Sequence, residues 1–163
     1  MFKIPRIPKG QSYTRRKYAS RSPPIRVIRF TMGDKSTSYE YTVALIASHN
    51  VDIASNALES ARITANKALS NAGIPYLFRL CSYPHEIVRE HKFMAFAGAD
   101  RLSQGMRKAF GRPTGRSARV HTNQKILTVD VNKDNIDVAK KALKRASKKL
   151  PIPYKIIIEE KSK

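Results

Sequence analysis

Residues 39–83 read YEYTVALIASHNVDIASNALESARITANKALSNAGIPYLFRLCSY. Three patterns follow one another in this stretch. Tyr39 to Ser48 is rich in Val, Ile, Thr and Tyr, the composition of a strand. Ala54, Ala57, Leu58, Ala61, Ala65, Ala68, Leu69 and Ala72 then recur at three- and four-residue spacing, the period of a helix. Asp52 or Ser55 is expected to cap its start. Gly73 stands where a left-handed C-terminal cap belongs, and Pro75 blocks continuation. The stripe is mostly alanine, so the helix can lie close against a sheet. Arg62 and Lys67 fall off the stripe and are expected to face outward. Tyr76 to Tyr83 reads as another strand.

The same reading extends outward. Ile25 to Met32 is an expected strand and Gly33 to Ser38 a turn. Pro84-His85 marks a corner, and Ile87 to Phe93 is expected to be a strand. Ala118 to His121 and Lys125 to Val131 look like hairpin arms around Thr122-Asn123. Asp134 or Asn132 can start a second helix over Ile136, Ala139, Leu143 and Ala146, which Pro151 and Pro153 end. Tyr154 to Glu159 is a last strand. Strands arrive in pairs with only two helices, which argues for an α+β domain with a largely antiparallel sheet and both helices on one side.

The chain has 163 residues, 41% of them hydrophobic. That suits one domain, able to bury roughly two-thirds of its unfolded surface. Against 12 acidic residues stand 32 Lys and Arg, a net charge of +20 that calls for a polyanion. The charge is uneven. Residues 1–33 hold nine basic residues and no acid, with prolines and Tyr13 and Tyr18 between them. Residues 1–25 therefore read as an extended arm that orders on a partner, and 26–163 as the domain. Interleaved Tyr and Arg suit base stacking as well as phosphate contact; the plainer alternative is a solubilising tail. The second helix turns Lys140, Lys141, Lys144, Arg145, Lys148 and Lys149 to one face, with no acid among them.

Residues 98–119, GADRLSQGMRKAFGRPTGRSAR, combine four glycines with six basic residues and one acid, Asp100. Glycine lets the backbone approach a partner closely, and Arg offers a planar fork to phosphate. The stretch reads as a long basic loop, mobile at about 98–117. Gly111 to Ser117 fails as a nucleotide-binding P-loop. Its glycine spacing is one short, Arg replaces the required Lys, and Pro113 sits in the turn. The four histidines form no metal-ligand spacing, and Cys81 is alone, so neither a metal, a cofactor nor a disulfide is expected. No signal peptide or span of ~20 apolar residues is visible, so no membrane partner is expected.

Specific blocks then stand out. Ala57-Leu58-Glu59-Ser60-Ala61-Arg62-Ile63-Thr64-Ala65-Asn66-Lys67 is followed by Ala97 to Pro113, with its Gly105-Met106-Arg107-Lys108-Ala109-Phe110-Gly111 core. With the Tyr83-Pro84-His85 corner, Ala118 to His121 and Tyr13 to Tyr18, they resemble the universal large-subunit ribosomal protein family L sixteen / L ten-e. The gap lengths resemble its archaeal and eukaryotic branch, and the arm leans archaeal. The resemblance implies an α/β-hammerhead fold and a structural, non-enzymatic role with no small-molecule substrate. It implies a cytoplasmic place in the large ribosomal subunit, between the peptidyl-transferase centre and the central protuberance. There the protein binds large-subunit rRNA beside neighbouring ribosomal proteins and helps position A-site and P-site tRNA. On this expectation Arg6, Tyr13, Arg15, Arg16, Lys17, Tyr18, Arg21, Arg26, Lys140, Lys144 and Lys148 contact rRNA. Arg101, Gly105, Met106, Arg107, Lys108, Phe110, Gly111, Arg112, Gly115 and Arg116 form the loop near tRNA. The competing reading is a stand-alone RNA-binding factor or an accessory subunit of an RNA-modifying enzyme.

Overall fold

A computed structural model describes residues 17, 19, 21–90, 111–151 and 153–161. The expected arm up to Arg16, Tyr18, and the expected loop from 98 to Phe110 lie outside the described residues, as do 91–93 of the strand expected to end at Phe93. The elements are β1 (Thr31–Gly33), β2 (Tyr41–Ala47), β3 (Val51–Ala54), α1 (Ser55–Asn71), β4 (Leu77–Leu80), β5 (Glu86–Glu90), β6 (Arg112–Val120), β7 (Lys125–Val131), α2 (Ile136–Ser147) and β8 (Tyr154–Glu160). A 3-10 turn, Lys133–Asn135, leads into α2.

The fold is α+β, and every strand pairing among the described residues is antiparallel. One sheet has five strands in the order β1-β4-β7-β2-β8, and a second has three in the order β3-β6-β5. Alternation along β2 and β7 sends Val43, Leu45, Leu127 and Val129 into one core with Leu58, Ala61, Ala65 and Leu69 of α1 and Ala139, Ala142, Leu143 and Ala146 of α2. The alanine rows let the two helices pack on each other while α2 lies on β2, β7 and β8. On the opposite side of the same strands stand Thr42, Thr128 and Asp130.

Several expectations need correction. Ile25 to Phe30 does not pair as a strand; only Thr31–Gly33 joins β4. Val27 is buried instead, and the backbone of Ile28 and Phe30 bonds to Glu59 and Leu80. The short strand β3 precedes α1 directly, so Ala54 is the N-cap and no side chain caps the helix. Asp52 faces Arg119 across the β3–β6 pair, its Oδ1 3.3 Å from the arginine Nε. Residues 118–120 and Lys125–Val131 are not hairpin partners. β6 pairs with β3 and β5, β7 with β2 and β4, and the chain changes sheet at a tight turn with Asn123 at φ 64°. Residues 112–117 are strand, not loop. Pro113 and Gly115 are accommodated because the register shifts between Val88 and Arg89.

The start and stop signals differ in quality. Gly73 has φ 65° and closes α1 as its sequence position requires. Gly33 has φ 93°, and a Cβ there would stand 2.1 Å from the Tyr76 carbonyl oxygen. The turn after it is tied by Asp34. Its carboxylate accepts from the Ser36 amide at 2.9 Å, the Ser36 hydroxyl at 2.6 Å and the Thr37 hydroxyl. The Ser36 and Thr37 hydroxyls lower the Asp34 pKa to about 2.

Candidate nucleic-acid interface

Two described stretches each carry several exposed cations. The first is the outer face of α2 and the turn after it. Lys141, Lys144, Arg145, Lys148 and Lys149 are exposed, and Lys140 is half-buried. At 1.5 Å per residue the strip from 140 to 149 is about 14 Å long. Lys140 Nζ lies 3.3 Å from Asp137 Oδ1, one turn back. Among the described residues no carboxylate is within ion-pair distance of Lys144 or Lys148. The second is the segment leading from the arm, where Lys17, Arg21, Arg26 and Arg29 are exposed. Ile28 is 77% exposed between the last two, and Phe30 stacks on exposed Tyr83 with ring centroids 5.5 Å apart.

The acids are spent elsewhere. Glu59 and Arg62 pair on α1 at 2.5 Å, both side chains nearly buried. The Arg62 hydrogen bond holds the Glu59 carboxyl below its usual range, against the opposing effect of burial. Burial alone would raise Asp130. Hydrogen bonds from Lys161, Thr42 and Arg79, at 2.7, 2.8 and 2.7 Å, more than reverse that and keep it ionised. Lys125 pairs with Glu159 at 2.5 Å, and Arg119 lies between Asp52 and Glu86. Glu59, Asp130 and Glu159 are thus matched within the domain, while among the described residues Lys144 and Lys148 on α2 have no carboxylate at ion-pair distance. Such a surface attracts phosphates and has no convergent acid, base and nucleophile. Among the described residues, no group of His, Cys, Asp and Glu could hold a metal ion. No described helix is long and apolar enough to cross a membrane.

The expected contact residues separate into groups. Lys17, Arg21, Arg26, Lys144 and Lys148 are exposed, and Lys140 is half-buried beside Asp137. Arg112 is exposed at the start of β6, with Gly111 before it at φ 110°. Gly115 sits within β6 opposite Val88. Arg116 is corrected: it is buried and bonds the Ser22 hydroxyl. Arg6, Tyr13, Arg15, Arg16, Tyr18, Arg101, Gly105, Met106, Arg107, Lys108 and Phe110 lie outside the described residues. Arg62, expected to face outward, is also corrected, because its Nη1 reaches Met32 Sδ at 2.8 Å beneath the arm root. Sequence reasoning missed Arg29, although its place three residues after Arg26 in the acid-free segment was a usable signal.

Comparison with known proteins bears on the family. The family model described as "Ribosomal protein L16p/L10e" matches residues 8–157. The chain is 48% identical over 150 residues to "Large ribosomal subunit protein uL16" of Archaeoglobus fulgidus, covering 91% of this chain and 86% of the relative. The protein of the same name from Hyperthermus butylicus is 46% identical over 149 residues, 90% of this chain and 83% of the relative. That of Staphylothermus marinus is 43% identical over 152 residues, with 92% and 87% covered. A structural ribosomal protein and not an enzyme, the chain belongs to the ribosomal protein L16p/L10e family.

Proposed function

We propose that the protein is a structural constituent of the cytoplasmic large ribosomal subunit. It binds large-subunit rRNA between the peptidyl-transferase centre and the central protuberance, beside neighbouring ribosomal proteins, and helps position A-site and P-site tRNA. The observation that carries this reading is the α2 face: exposed Lys144 and Lys148 have no carboxylate within ion-pair distance among the described residues, while Glu59, Asp130 and Glu159 are matched internally. Phosphate contacts from α2 and the arm root fix the protein's position without reading base sequence. On this reading the loop near tRNA ends at Arg112, which is exposed at the start of β6.

The test is co-sedimentation of the native protein with ribosomal particles through washes of rising salt. Retention on the large subunit, with release only at high salt, is the expected result. Recovery in the soluble fraction at low salt would favour a stand-alone RNA-binding factor.

A further inference from the structure

Of the described Phe and Tyr residues, only Tyr83 is exposed, at 49%. One face of its ring lies on Phe30, with centroids 5.5 Å apart and planes inclined by 28°. Its exposure therefore comes from the other face and the hydroxyl edge. Covering that face with a second flat group would be favourable.

The ring is held stiffly. Residues 81–85 alternate, with Cys81, Tyr83 and His85 exposed and Ser82 and Pro84 buried. Pro84 restricts the residue before it, Tyr83, to extended backbone. Phe30 is fixed from behind: its carbonyl accepts from the Leu80 amide at 2.7 Å, and its side chain packs against the core. A ring preset in this way loses little freedom when a partner settles on it. The surrounding charge suits a polyanion. Arg26 and Arg29 are exposed on the segment that carries Phe30. The acid beside the corner, Glu86, is engaged by His85 Nε2 at 3.2 Å and Arg119 Nη1 at 3.8 Å. The centre of a protein interface is apolar and depleted of charge. Here exposed Ile28 stands between Arg26 and Arg29 instead.

We infer that the open face of Tyr83 is a stacking site for one unpaired base of large-subunit rRNA. Every nucleobase offers a flat face, so the ring adds affinity without reading base identity. Loops and bulges supply such bases. The contact is uncharged and adds to the phosphate contacts of α2. This rests on the rRNA binding proposed above.

The test uses the full-length chain, a large-subunit rRNA transcript and affinity measured against salt. Tyr83→Leu keeps apolar bulk without a ring, and Tyr83→Phe keeps the ring without the hydroxyl. Thermal melting confirms that each variant is folded. The expected result is that Tyr83→Leu weakens binding about fivefold to a hundredfold, the range of one aromatic–base stack. The slope of log affinity against log salt should stay unchanged, and Tyr83→Phe should bind like wild type. If Tyr83→Leu binds the transcript like wild type, no base stacks there and the inference fails; should that variant also be lost from large subunits, the face takes a protein partner instead. The inference fails too if Tyr83→Phe is as weak as Tyr83→Leu, since the hydroxyl then makes the contact. If wild type itself shows no salt-sensitive binding to the transcript, the proposed rRNA binding fails and the inference with it. Ultraviolet crosslinking of the wild-type complex keeps the test decisive should Tyr83→Leu not fold. A nucleotide adduct on Tyr83 is expected, and adducts only elsewhere would overturn the inference.

Discussion

The two helices bury similar rows of alanine and put their charged residues to opposite uses. Each packs a row of small residues into the shared core, Ala61 and Ala65 on α1 and Ala139, Ala142 and Ala146 on α2. On α1 the charged pair Glu59–Arg62 is nearly buried and grips the arm root through Ile28 and Met32. On α2 the cations stand in solvent, and among the described residues only Lys140 has an acid neighbour, Asp137. A basic residue on an amphipathic helix is therefore a brace or a phosphate contact according to what lies over it. Residues 25–32 cover the α1 site, whereas the outer face of α2 is open.

That contrast can be broken or sharpened by substitution. The largest effect is expected at the shared core: Leu143→Ala, fully buried on α2, should lose about 3 kcal/mol of stability in denaturant unfolding. A loss under 1 kcal/mol would mean that the helices are not packed as described. Next is Arg62→Met, which strands Glu59 beneath the arm root. It should lower stability by about 2 kcal/mol, less than for a fully buried pair because both side chains keep some exposure. It should leave the contribution of α2 to RNA affinity unchanged.

Acid should act in the same direction. The Glu59 and Asp130 carboxyls both lie below their ordinary values of 4.5 and 3.8 in the folded protein. Their contribution is present above about pH 4.5 and is lost as pH falls through the lowered folded values. Thermal melting should therefore worsen steadily below that pH, and Glu59→Gln should flatten the upper part of the decline. On α2, by contrast, Lys144→Gln with Lys148→Gln should leave stability within about 0.5 kcal/mol. The smallest effect is expected for Asp137→Asn, which frees Lys140 and should shift stability by only about 0.3 kcal/mol.

Local patterns carried much of the fold and little of the site's internal wiring. The helical period of α1, its Gly73 terminator and the lysine face of α2 were legible because each is written within a few residues. Arg62 was misread because its alanine neighbours drew attention to one narrow row. Yet it stands four residues after buried Leu58 and three before buried Ala65, which places it at the edge of that same face. Glu59, three residues earlier, was the local sign that the charge could be matched inside. Residues 112–117 of β6 were misread as loop because they continue the basic, glycine-containing stretch and hold Pro113 and Gly115. Their strand character comes from β3 and β5, distant in sequence, and no local rule anticipates that pairing. The burial of Arg116 was hidden for the same reason, since its partner Ser22 is 94 residues away.

The most direct test of this division is the salt dependence of rRNA binding for two variants side by side: Lys144→Gln with Lys148→Gln, and Arg62→Met. The expected result is that the α2 variant flattens the slope of log affinity against log salt by about 0.7 to 0.9 per lysine, while Arg62→Met leaves it unchanged. An unchanged slope for the α2 variant, or a reduced slope for Arg62→Met, would contradict the assignment of open cations to RNA and buried ones to the fold.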